Sequence, residues 1–108
     1  MMKLITAIVN KKDVNEVSDA LREKGFSFTR MASTGGFLTA GNTTLLIGTE
    51  DEKVEAALET IRVHCKKRTV HVAHAPYMAT GLTMAYPTEV VVGGATVFVT
   101  EVCHYEKM

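Results

Sequence analysis

An excess of charge of either sign is missing from this chain, where 12 Lys and Arg face 12 Asp and Glu. Such a balance gives no global field for a polyanion, so neither nucleic acid nor an anionic membrane is an expected partner, and an anionic ligand must be held locally. Long hydrophobic runs are missing too. Leu4 to Val9 and Val90 to Val92 fall far short of the roughly 17 to 25 apolar residues that span a bilayer. Met1-Met2-Lys3 leads straight into a strand-like run without a small-residue cleavage site, so no signal peptide is read and a cytoplasmic protein is expected. Cysteine is scarce. Cys65 and Cys103 are too few for a disulfide framework and are expected as free thiols in a reducing compartment. Internal repeats and low-complexity segments are absent, and no Ser, Cys or Lys has an activating partner nearby in sequence. Catalysis is therefore not expected.

What is present fits one domain over residues 1–108, since 108 residues with 46% hydrophobic content bury one core and not two. Leu4-Ile5-Thr6-Ala7-Ile8-Val9 is β-prone with apolar residues on both faces, which predicts a central strand. Asp13-Val14-Asn15-Glu16 has the form of a capping box. Val14, Val17, Ala20 and Leu21 follow at helical spacing until Gly25 stops the helix. Phe26 to Ser33 and Asn42 to Gly48 read as two strands joined by a short link of about residues 34–41, hence antiparallel. Thr49-Glu50-Asp51-Glu52 reads as a second capping box, ahead of the apolar stripe Val54, Ala57, Leu58, Ile61 and Cys65. Thr69 to Pro87 then shows no sustained periodicity and reads as a long functional loop, about 69–87. Glu89 to Glu101 closes the chain as one long strand, with a bulge, bend or turn at Gly93-Gly94.

The order β-α-β-β-α-β predicts an α+β, ferredoxin-like fold: a four-stranded antiparallel sheet with two helices on one face. Its other face is left uncovered. Because the first and last strands are apolar on both sides, other subunits are expected to cover that face in a homo-oligomer.

Chemistry concentrates in STGGFLTAGNTTLLIG, residues 33–48. Its glycines let backbone N–H groups approach an anion, and Phe37 offers an aromatic face beside them. The segment joins strand to strand, so it is neither a dinucleotide fingerprint nor a Walker loop, both of which need a helix N-terminus. On spacing alone it is also compatible with a plain hairpin carrying an exposed aromatic.

This string, with MKLITAIV at the start and YPTEVVVGGATVFV near the end, resembles the PII-like cyclic di-AMP receptors of Gram-positive bacteria. The resemblance implies a PII-like homotrimer that binds cyclic di-AMP in clefts between subunits and reports occupancy by ordering its loops to an unknown downstream protein. It implies no cofactor and no resident metal. Residue by residue it places the ligand-binding positions at Thr29, at Gly35, Gly36, Phe37 and Leu38 in the short loop, and at Asn42 and Gly48 on the third strand. Ser27 is the position that departs. Relatives that bind cyclic di-AMP usually carry arginine there, in a strand like F-R-x-T, and this chain reads Phe26-Ser27-Phe28-Thr29. One charge-assisted hydrogen bond is worth roughly 1.5 to 3 kcal/mol, so the change sets up an alternative: a PII-like paralogue that senses another small ligand or a protein partner. Arg30 is no replacement, because it lies an odd number of positions from Ser27 and points to the other face of the strand. A second alternative, a metal-binding ferredoxin-like protein, draws on His71-x-x-His74 together with His64-Cys65 and Cys103-His104. Tyr77, Met78 and Tyr86 in the long loop can contact a base or a partner, or anchor the loop itself.

Overall fold

A computed structural model of the chain describes residues 1–32, 41–73 and 87–108. Strand β1 (Met2–Asn10) runs through the middle of the sheet, with Ile5, Ala7 and Val9 fully buried on one side. Of the alternate residues, Leu4 and Thr6 are only partly buried and Ile8 is buried, so the second face of β1 is covered towards Asn10 and more open towards Met2. Helix α1 (Val14–Glu23) lays Val14, Val17 and Leu21 on the fully buried side. Its chain reverses at Gly25, whose φ of 86° is the left-handed conformation that a residue with a Cβ adopts only with strain.

Strand β2 (Phe28–Ala32) follows, then β3 (Asn42–Glu50), helix α2 (Val54–His64), β4 (Arg68–Ala73), β5 (Pro87–Val92) and β6 (Ala95–Glu101). The sheet order is β2-β3-β1-β6 and every pairing is antiparallel, which is the ferredoxin-like arrangement the sequence predicts. Ala57, Ile61 and Cys65 of the α2 stripe join the α1 residues and Leu45 and Ile47 of β3 in one core, with Val54 and Leu58 packed against it. Both helices therefore cover the same face.

Three expectations are corrected. Neither helix has a side-chain cap at its N-terminus. Asp13 turns its carboxylate to Arg68 Nη2 at 2.9 Å instead, and β3 absorbs Thr49 and Glu50, leaving a 3-10 turn over Asp51–Lys53 to start α2. The long loop is not irregular from its start: residues 68–73 pair with 87–92 as a separate two-stranded sheet. The final β-prone run is likewise two strands. Gly93 and Gly94 both take positive φ, 85° and 80°, and hand the chain from the β4-β5 ribbon to β6 beside β1.

The sheet face turned away from the helices carries Met31 of β2 and Phe98 of β6, 43% and 44% exposed; by register Met31 is level with Thr44 and Ile8, both buried, and Phe98 with Thr6 and Leu46. No helix here is long and apolar enough to cross a membrane.

Candidate functional site

Alternation along β2 decides which side chains reach the open face. Phe28 pairs with the buried Ile47, so Phe28 and Arg30 belong to the helix face, and Thr29 and Met31 to the other. Contacts agree with that assignment. Arg30 donates to Asn15 Oδ1 on α1 at 3.3 Å, and Arg22 lies over the Phe28 ring at 5.3 Å from its centroid. Both arginines nearest Ser27 in sequence are held on the helix side.

At the Gly25 end of β2 the open face carries a cavity of about 260 Å³. Ser27, Thr29 and Gly48 line it, with Leu46 as its apolar floor and Met2 and Phe28 at its margins. Gly48 matters here by what it lacks: a strand residue at this position normally projects a side chain over the space beside Thr29. A Cβ built there meets only Met2 Cε, at 3.6 Å, so the backbone has room for one and the fold does not demand glycine.

Tyr105 also lines the cavity, a residue that sequence reasoning missed. It belongs to the tail after β6, where there is no periodicity to read. The tail is brought to the site by Val102, whose N–H donates to Met2 C=O at 3.2 Å, and Tyr105 stays 58% exposed with its ring available to a flat ligand. Its signal in the sequence was only that of an aromatic residue in a chain with 6% aromatics.

Three of the anticipated positions, Ser27, Thr29 and Gly48, thus converge. Gly35, Gly36, Phe37 and Leu38 lie outside the described residues. Asn42 is on the same open face but six residues up β3 from Gly48, about 20 Å at the usual strand rise, so it does not join this cavity within one chain. For the metal alternative, His74 lies outside the described residues, Cys65 is buried on α2 and His64 Nδ1 lies 3.6 Å from Glu16. Among the described residues no three potential ligands cluster.

Burial pushes the Cys65 thiol up to about 11, helped by the negative charges of Asp13 and Glu16. It stays protonated at neutral pH and packs as a small apolar side chain.

A four-stranded ferredoxin-like sheet with both helices on one face, and a ribbon inserted between α2 and the last strand, defines a PII-like protein. The chain resembles the crystal structure of PII from Arabidopsis thaliana bound to citrate, with a TM-score of 0.60 over 94% of this chain and 74% of that one; at 20% identity the likeness is one of fold. It is 39% identical to a functionally unknown protein from Pediococcus pentosaceus ATCC 25745, whose crystal structure matches with a TM-score of 0.78 over 99% of this chain and 97% of the other. The cyclic-di-AMP receptor family matches residues 2–108, and the chain belongs to that family. It is a PII-like signal transduction protein.

Proposed function

We propose that this protein is a homotrimeric receptor that binds cyclic di-AMP between subunits and relays occupancy through its two loops to a protein partner. The observation that carries the reading is the open-face cavity: in a chain of the receptor family, Ser27, Thr29 and Gly48 converge on one space with an aromatic beside it. The hydroxyls of Ser27 and Thr29 donate and accept hydrogen bonds as an adenine edge requires, and Tyr105 supplies a stacking surface. Gly36, Phe37, Leu38 and Asn42 complete the proposed contacts from the short loop and its exit.

The trimer is supported by Met31 and Phe98, exposed on the sheet face turned from the helices, and by the two ends of the sheet, β2 and β6, each of which pairs on one side only among the described residues. A head-to-tail ring of copies removes such edges and buries the face together.

The relay has a physical basis in the turn between β1 and α1. Lys11 N–H donates to Gly41 C=O at 2.7 Å, where the short loop ends, and Asp13 holds Arg68 at 2.9 Å, where the long ribbon begins. Asn10 Oδ1 accepts from Lys12 N–H at 2.8 Å and stiffens the turn between those anchors. Gly41 before β3 and Arg68 at the base of the ribbon are thereby fastened to the same four residues, which supports a coupling between the two ends of the site.

Ser27 favours a second reading in which the cleft serves another ligand. Calorimetry with cyclic di-AMP on the wild type, Thr29→Ala and Ser27→Arg separates the two. The receptor reading expects saturable wild-type binding, about tenfold weaker in Thr29→Ala and about tenfold tighter in Ser27→Arg. A silent wild type beside a binding Ser27→Arg establishes the second reading instead.

A further inference from the structure

Ser27 and Gly48, with Met2, line not one cavity but two. On the far side of Ser27 lies a second space of about 200 Å³, bounded also by Lys24 at the end of α1 and Lys53 at the start of α2. Neither cavity alone reaches the roughly 300 Å³ at which small-molecule sites begin, and the two lie next to each other along Met2, Ser27 and Gly48. The two halves differ in character. The first is lined by the apolar Leu46 and the aromatic Tyr105, and the second has two lysines in its lining. Lys3, by contrast, is engaged by Glu101 at 3.2 Å and Asp51 at 3.7 Å, while among the described residues Lys24 and Lys53 make no ion pair. Glu50, the carboxylate on the second cavity's wall, lies 3.6 Å from the Met1 amine, which offsets its charge.

We propose that the ligand site extends past Ser27 into this second compartment, where Lys24 and Lys53 hold the phosphate-bearing part of the ligand while the base lies against Tyr105. The proposal rests on the receptor reading above and adds the source of positive charge. A serine at position 27 is small enough to leave the passage open, whereas an arginine there fills it and carries its own cation to the same place. Lysine suits the task as a compact charge on a flexible stem.

The test is a titration of Lys24→Ala/Lys53→Ala against the wild type with two probes, cyclic di-AMP and inorganic pyrophosphate, at two salt concentrations. Both lysines are exposed, so unchanged melting curves confirm that the fold is intact. The expected result is cyclic di-AMP affinity lowered roughly ten- to hundredfold, a flatter salt dependence, and recovery when Ser27→Arg is added to the double variant. Equal wild-type and double-variant affinity for cyclic di-AMP overturns the proposal and leaves the receptor reading standing. Pyrophosphate binding that needs the two lysines, in a protein indifferent to cyclic di-AMP, overturns the receptor reading and leaves the compartment as a phosphate site. A protein that binds neither probe overturns both.

Discussion

At Gly48 the cavity and the fold make different demands, which lets one substitution separate them. A Cβ there meets only the end of Met2, so Gly48→Val is expected to melt within a few degrees of the wild type. The same methyl groups project into the space beside Thr29, and ligand affinity is expected to fall at least tenfold in calorimetry. Equal affinity with a valine in place removes Gly48 from the site. The two thiols divide in a similar way. Cys65 is 3% exposed with its thiol raised to about 11, and Cys103 is exposed. A thiol reagent at neutral pH should label Cys103 quickly and Cys65 only on unfolding, read by mass spectrometry. The sign of the pH effect follows from the upward shift. The folded state holds the Cys65 proton longer than the unfolded chain, so this thiol's contribution is complete below about pH 9 and fades as the pH rises towards 11.

Among the elements, the β4-β5 ribbon is tied at its base by the Arg68–Asp13 pair and by Gly94 N–H, which donates to Cys65 C=O. Arg68 at its base is the partner of Asp13, whose side chain is 4% exposed, so removing the guanidinium strands a buried carboxylate. Arg68→Ala is expected to lower the midpoint of urea unfolding, by less than the loss of a fully buried pair because Arg68 itself is exposed. Gly93 closes the other side of the ribbon. A Cβ there collides with Lys66 C=O and comes within 2.8 Å of Arg68 Nη1, at a φ of 85°. Gly93→Ala is therefore expected to cost more than Gly25→Ala, where the φ is similar but nothing lies within 4 Å. Equal losses at the two glycines count against the clamp.

These same contacts explain which elements the sequence made legible. The central strand, both amphipathic stripes and the β2-β3 pairing announce themselves through local periodicity, and all appear. The Asp13 cap does not form because a cation 55 residues away claims the carboxylate, a competition invisible in any local window. Strand β4 was missed since its alternation, Val70 and Val72, is too brief to register, and its partner begins at Pro87. Gly93-Gly94 was noticed as a point of bending, but only the pairing of β5 with β4 shows that the chain changes sheets there. Within the site, Ser27, Thr29 and Gly48 were reached through family likeness, while Tyr105 was hidden because its role depends on where the tail folds back.

For the whole molecule, the sheet face turned from the helices carries two large apolar side chains at the surface. Phe98 and Met31 are both more than two-fifths exposed there, and burying them between copies is the proposed role of that face. Phe98→Asp is expected to shift the protein from a trimer towards monomer in native mass spectrometry, and a wild type that is monomeric at micromolar concentration contradicts the assembly. The receptor account itself is tested most directly by titrating the wild type with cyclic di-AMP in a calorimeter. It predicts saturable heat with one ligand bound per chain, and the absence of heat up to millimolar ligand contradicts it.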